Sequence, residues 1–344
     1  MTNILAIETT CDETAAAVVA DGWLVKSNVV SSQVQLHQQY GGVVPEIASR
    51  AHIEWLNRLI DNAMEQAQCS FRDIDAVAVA HCPGLVGCLI VGVAAAKTLA
   101  FALRRPLIGI NHVHAHLYGG FLSSELNALP PMPEFPALGL VVSGGHTSLF
   151  HLHSFVDIRR IGATIDDAIG EAFDKTAAIL GLGYPGGAAL EKLARQGNAN
   201  TIDFPISLLD AESLDFSYSG LKTAVRYHLK GRKGEEQSID ARAPQELADA
   251  AAAFQRAAIA PIKVKLGRAM QRYGFKSILV GGGVSANQAL RHVVNRVADE
   301  FAVPVAMPAM AFCTDNAAML AGLAFHRLQA GCADSLNLSA IATV

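Results

Sequence analysis

The chain has 344 residues, 51% hydrophobic and 17% charged, with a formal net charge of −4 and a pI near 6.3. That length suits two lobes of roughly 150 residues each, and the composition excludes a disordered chain. The acidic balance excludes a protein that binds nucleic acid through an all-over basic surface, though a local basic patch remains open.

The first element, ILAIE, reads as a strand that leads through the turn TTCDET into the apolar run AAAVVADGWLVKS. Glu8, Asp12 and Glu13 interrupt the N-terminal apolar stretch, which argues against a secretory leader. Together with six cysteines that form no Cys-x-x-Cys pair, this points to reduced thiols and a cytoplasmic protein. Next, IDAVAVA enters the turn HCPGLVG and a long apolar helix. The stretch 84–103 has the length of a membrane span, but Lys97 lies inside it and Gly and Ala dominate. A buried helix is therefore expected, with no membrane association. PLIGI then leads to NHVHAH.

From residue 136 the plan repeats. ALGLVV, SGGHT and SLFHLHSFVDIRRI mirror the first strand, turn and strand. KSILV, GGGVSAN and QALRHVVNRVAD mirror the strand, glycine turn and helix. VPVAM before PAMAFCTDN mirrors PLIGI before NHVHAH. The expected fold is α/β: two duplicated lobes facing a central cleft, with a helical insertion at about 163–260 in the second lobe. Residues 1–118 and 119–317 form the lobes, and a C-terminal helix at about 318–344 is expected to pack back on the first. This layout resembles that of the actin/hexokinase/heat-shock-chaperone (ASKHA) superfamily.

His112 and His116 are four apart, so on a helix both imidazoles share a face and can share a metal ion. The spacing alone is a weak signal. The repeat strengthens it, because Asp315 follows the third strand of the second half as His112 follows the third strand of the first. Two His and one carboxylate with open positions suit Fe(2+) or Zn(2+). A zinc peptidase is excluded, since Val113 stands where His-Glu-x-x-His needs its Glu, and His114 points off the shared face. Ser143, Gly144, Gly145, His146 and Thr147 follow a strand and offer main-chain N–H groups and hydroxyls to an anion. Gly281, Gly282 and Gly283 do so at a helix start. Neither turn is a Walker loop.

Asp12 and Glu13 are candidates to orient a ligand or accept a proton. Asp166, Asp167, Glu171 and Asp174 are read as lining one helical segment at the cleft rim, with Asp174 available for hydroxyls. Lys222, Arg226, Lys230, Arg232 and Lys233 form the basic cluster, a candidate contact for RNA phosphates against the plainer reading of a solvated loop.

These motifs together closely resemble the glycoprotease-like family of bacterial tRNA N6-adenosine threonylcarbamoyltransferases. The resemblance runs from about residue 4 to 330 through IETTCDET, SQVQLHQQYGGVVPEIASR, NHVHAH, LVVSGGHT, DDAIGEAFDKTA, GLGYPGG, DFSYSGLKTAV, GGGVSAN and FCTDNAAM. It implies a metal site at His112, His116 and Asp315, with Fe(2+) ahead of Zn(2+). It implies substrate or nucleotide contacts at Val141, Val142, Ser143, Gly144, Gly145, Asp174, Gly187 and Asn287, and activity-linked positions at Glu13 and His146; Gly282 and Gly283 join them from the glycine turn, and Glu191 by its position. ATP or threonylcarbamoyl-AMP would occupy the cleft. The implied reaction moves the threonylcarbamoyl group from its adenylate to N6 of the adenosine 3′ of the anticodon. Implied partners are tRNA, a catalytically silent TsaB-type paralogue, a small TsaE-type ATPase and a second copy of the chain. Three departures stand out: Cys82 replaces a usual Gly, Glu191 replaces a frequent Asp, and LNLSAIATV replaces a basic, proline-containing tail. The rival readings are a small-molecule kinase of the same superfamily and a non-catalytic nucleotide-binding scaffold.

Overall fold

The computed structural model describes residues 1–126, 128–231, 238–239 and 242–343. The first half opens with β1 (Asn3–Glu8), β2 (Glu13–Ala20) and β3 (Leu24–Ser32), followed by the short α1 (Val34–Gln38) and the long α2 (Pro45–Gln66). Then come β4 (Ala76–Cys82), α3 (Val86–Leu103), β5 (Leu107–Asn111) and the one-turn α4 (His112–His116). The second half opens with β6 (Ala137–Val142), β7 (Thr147–Leu152) and β8 (Ile158–Ala163). Four helices follow: α5 (Ile169–Ile179), α6 (Gly187–Ala194), α7 (Ser219–Lys230) and α8 (Pro244–Tyr273). The chain closes with β9 (Ser277–Gly281), α9 (Gln288–Phe301), β10 (Val305–Ala306) and α10 (Ala317–Gln329).

Two five-stranded sheets result, ordered β3-β2-β1-β4-β5 and β10-β9-β6-β7-β8. They are one topology used twice: an antiparallel meander of three strands, then two strands parallel to the first. The duplicated α/β architecture expected from the motif order is therefore present. Each meander has one strand more than the motif reading gave. Asp21-Gly22, both at positive φ, break AAAVVADGWLVKS into β2 and β3, as an Asp-Gly hairpin turn does. A turn at 153–157 likewise separates β7 from β8.

Strand alternation sorts the first sheet's side chains. Ala6, Ala15, Ala17, Ala76, Ala78 and Ala80 share a core with α10, while Leu5, Ile7, Val18, Val77 and Val79 share another with α2 and α3. Small residues let α10 lie close to the sheet, and its own Gly322 admits the Tyr118 ring. That core crosses to the second sheet through Val141, Phe150, Leu152 and Leu279, so the two halves meet over packed side chains.

The 84–103 stretch differs from expectation. α3 is the one helix among the described residues long and apolar enough to cross a membrane, yet only 33% of it is buried. Val86, Ile90 and Phe101 face outward. A helix apolar on all sides reads as buried on all sides, but here a sheet and α2 cover one side only. Beyond α10 the chain runs back along β5. Asp334 pairs with Leu107, the Ile341 N–H donates to the His81 carbonyl, and the Ala342 carbonyl accepts from the Gly84 N–H. The atypical tail thus braces the 81–84 loop.

Candidate active site and metal centre

In open α/β sheets, ligands gather at the carboxyl ends of the parallel strands. β5 ends at Asn111, whose side chain accepts from the His114 N–H and caps α4. That cap fixes the helical turn carrying His112 and His116, whose rings lie 4.8 Å apart between centroids. Across the cleft, Asn316 caps α10 and donates to the Thr314 and Phe312 carbonyls, holding the Asp315 loop. The Asp315 carboxylate then meets both imidazoles: Oδ1 is 3.2 Å from His116 Nε2 and Oδ2 is 3.6 Å from His112 Nε2. One donor atom from each of the three residues lies within 4.8 Å of the others. His116 is almost wholly buried, and among the described residues neither ring nitrogen makes a well-aligned hydrogen bond, the Asp315 carboxylate beside Nε2 included. A buried acceptor without a donor is costly, and a divalent cation between these three groups would satisfy it. The donor set fits a metal. His114 points away, against the Phe150 ring, and burial with the charge of Arg327 lowers its pKa to about 4.

The motif reading missed Glu8, the buried last residue of β1. Its Oε1 accepts from the Thr10 N–H at 2.6 Å, and its Oε2 lies 2.8 Å from His112 Nδ1. The carboxylate therefore holds a proton on Nδ1 and leaves Nε2 facing Asp315. The available signal was a Glu closing an otherwise apolar strand. Burial disfavours the His112 imidazolium, but the charges of Glu8 and Asp315 outweigh it and push its pKa up to about 9. Glu8→Gln keeps the size and removes the charge. Metal affinity is expected to fall by roughly 10- to 100-fold, read by competition with a chromogenic chelator. Unchanged affinity would remove Glu8 from this role.

Above the trio opens a cleft of about 950 Å³, lined by Asp12, Glu13, His112, Ser143, Gly144, Gly145, His146, Asp174, Gly283 and Asp315 among others. Gly144, Gly145 and Gly283 have ordinary φ values, and a Cβ at any of them would meet nothing within 4 Å. The fold does not require their bareness, which leaves backbone N–H groups open to a ligand. Gly282 is different: its φ is +92° and a Cβ there would overlap the Val142 carbonyl. The 143–146 turn is closed by the Ser143 N–H donating to the His146 carbonyl and the His146 N–H donating to Ser143 Oγ. Burial, then the charges of His112 and His116, lower the His146 pKa to about 4.

Burial, then Asp315 and Asp12, push Glu13 up to about 9, and Ser32 Oγ donates to its Oε1. Burial also raises Asp174, against the Gly186 and Gly187 N–H groups that its Oδ1 accepts. Val141 and Val142 lie wholly buried in β6 behind the turn. Gly187 and Glu191 lie on α6 and Asn287 at the start of α9, and none of the three is among the residues that line the cleft. Glu191 Oε1 accepts from the Gln288 N–H and Arg195, and the Asn287 amide caps α9 and donates to Gln255.

The acidic run is not one helical face. α5 begins only at Ile169, so Asp166 and Asp167 precede it. Asp166 accepts from Ser217, Tyr218 and Ser219 at the start of α7, and Asp167 pairs with Lys175 and Lys222. Lys222 is thereby committed, while Arg232 and Lys233 lie outside the described residues.

Solved structures of similar shape define the class. HypF of T. kodakarensis matches 96% of this chain and 48% of its own, with 15% identity and a TM-score of 0.59. The ADPNP-bound activator of 2-hydroxyisocaproyl-CoA dehydratase from Clostridium difficile matches 96% of both chains, with 14% identity and a TM-score of 0.50. The fold is theirs: a five-stranded sheet of one topology used twice, with a cleft between the two copies. The family model for TsaD, tRNA N6-adenosine threonylcarbamoyltransferase, matches residues 25–322. Proteins of that name from Trichlorobacter lovleyi and Moorella thermoacetica are each 48% identical over 340 residues, covering 99% of this chain and 96% of theirs. A third, from Anaeromyxobacter dehalogenans, is 47% identical over 332 residues, 96% of each chain. The chain belongs to the TsaD family of tRNA-modifying transferases, and the kinase and scaffold readings fall away.

Proposed function

We propose that the enzyme transfers the threonylcarbamoyl group from threonylcarbamoyl-adenylate to N6 of the adenosine 3′ of the anticodon in tRNA, releasing AMP. The observation that carries this reading is the convergence of His112, His116 and Asp315 at the floor of a cleft whose glycines are kept bare. The N6 lone pair attacks the carbamoyl carbon, the bond from that carbon to the phosphate oxygen breaks, and AMP departs with the bonding electrons. N6 loses one proton in the process. Backbone N–H groups of Gly144, Gly145 and Gly283 hold the negative charge on phosphate and carbonyl oxygen. A divalent ion held by His112, His116 and Asp315, Fe(2+) in our reading with Zn(2+) the rival, would supply Lewis-acid polarisation. With Glu13 pushed up to about 9 it holds a proton at neutral pH, so Asp12 is our choice of acceptor for the N6 proton, and His146 stays neutral beside it. Asp174, Gly187, Glu191 and Asn287 frame the adenylate's sugar and base, with Val141, Val142 and Gly282 supporting the phosphate turn from behind.

We place the lobe boundary near residue 118, with α10 returning to the first lobe, and the protein in the cytoplasm. The outward Val86, Ile90 and Phe101 of α3 make an apolar face, which we assign to a TsaB-type paralogue, with a second copy of this chain as the competing occupant. A TsaE-type ATPase completes the set. One experiment tests the whole reading: transfer of labelled threonylcarbamoyl to tRNA by the chain alone and with both partners. Labelled tRNA with release of one AMP per transfer is expected, faster with the partners. ATP consumption with a small acceptor and no tRNA label would overturn it.

A further inference from the structure

The cleft has two unlike walls. The 143–146 turn and Gly283 offer backbone donors suited to an anion. Beyond the acidic Asp12–Glu13 turn, the first-half wall continues through Gln38, the 41–43 segment and the facing 83–85 segment, a stretch that is uncharged and partly apolar. A neutral wall suits a base rather than a phosphate. Gly42 has an ordinary φ, and a Cβ there would meet nothing within 4 Å, so the fold does not demand its bareness. Tyr40 stands between the cleft-lining Gln38 and Gly41 and is 56% exposed, a large ring open to solvent at the cleft's edge.

This loop is also held in register with the reactive turn. Gln33, His37 and His52 are all fully buried at its base. The Gln33 N–H donates to the Asp12 carbonyl. His37 Nδ1 accepts from the Val44 N–H, so its Nε2–H donates to Gln33 Oε1. Gln33 Nε2 donates to the Ala48 carbonyl. His52 Nε2–H donates to the Cys11 carbonyl at 3.0 Å, leaving Nδ1 to accept from the Thr14 hydroxyl at 2.7 Å. Every polar group is satisfied with both imidazoles neutral, and burial lowers the His52 pKa in agreement. Loop and carboxylate turn are therefore tied to each other by a continuous set of hydrogen bonds.

We propose that the 38–43 loop seats the acceptor purine of the RNA, with the Tyr40 ring as its stacking surface. The inference rests on the transfer reading above, which gives the acceptor as an adenosine. Bases acted on by enzymes leave their own stack and are met by aromatic rings. Stacking on Tyr40 returns the lost contact, and the hydrogen-bonded base of the loop sets the purine against the Asp12 turn.

The test uses the full-length chain with its partners and two tRNA transcripts, one intact and one abasic at the acceptor position. Wild type is expected to bind the intact transcript about 10-fold more tightly. Tyr40→Ala should erase that difference and raise KM for tRNA about 10-fold, leaving KM for the adenylate within twofold and the melting temperature unchanged. Tyr40→Phe should restore the discrimination, since the ring and not the hydroxyl is used. Equal affinity of wild type for both transcripts, or discrimination that survives Tyr40→Ala, overturns the proposal. Discrimination by a wild type that transfers no label would instead overturn the transfer reading and leave the purine seat standing.

Discussion

Replacing His112, His116 or Asp315 by Ala is expected to empty the metal centre and lower the transfer rate by at least about 100-fold. Removing an outer partner of a metal ligand costs roughly 10- to 100-fold, and a direct ligand costs no less. Elemental analysis of the purified variants and initial transfer rates are the measurements; wild-type rates in a metal-free variant would exclude the metal from the chemistry. The pH dependence carries a defined sign. In the metal-free site His112 is pushed up to about 9, so below that pH an incoming cation must displace a proton. Metal affinity should rise with pH, approaching about tenfold per unit for one proton released, and level off above 9. Stability of the metal-free protein should move the other way. A His whose pKa is raised on folding contributes stability that is fully present below its unfolded value of 6.5, and that is lost as pH rises through 9. Thermal melts with and without chelator between pH 6 and 9.5 read both trends.

Gly281→Ala should damage fold and site together. A Cβ at Gly281 would overlap the carbonyl group of His116 and crowd its Cβ, in the buried end of β9. Overpacking a core costs about 1–3 kcal/mol, and the upper end applies because backbone atoms must move. The displaced backbone carries His116 of the proposed metal centre, so metal content should fall with the melting temperature. Gly283→Ala is the contrasting variant. Its Cβ meets no protein atom but enters the cleft, so the melting temperature should hold while adenylate binding weakens, measured by calorimetry. Equal loss of stability in both variants would mean that the two glycines do the same work.

The family could be read from motif order, because several motifs sit at strand ends where a backbone turn needs particular residues, and the rest follow them in fixed order. SGGHT and GGGVSAN show this: their glycines occupy fixed offsets after an apolar run, so spacing alone exposes them. The duplicated architecture followed from the same punctuation. Helical spacing placed His112 and His116 on one face, and the repeat pointed to Asp315.

The sequence did not reveal Glu8 as the partner of His112. Those residues are 104 positions apart and meet only because β1, β4 and β5 lie side by side with their carboxyl ends level. Nor did it separate the cleft-lining Gly283 from the structural Gly281 and Gly282, since that depends on which atoms occupy the space a Cβ would take. Asp166 and Asp167 looked helical by spacing, yet their partners Ser217, Ser219 and Lys222 come from more than fifty residues away. The exposed side of α3 was likewise hidden, because an evenly apolar helix carries no mark of which face a sheet will cover. Local chemistry and periodicity are written in the chain. Pairings between distant strands, and the space they leave open, exist only once the two sheets have packed.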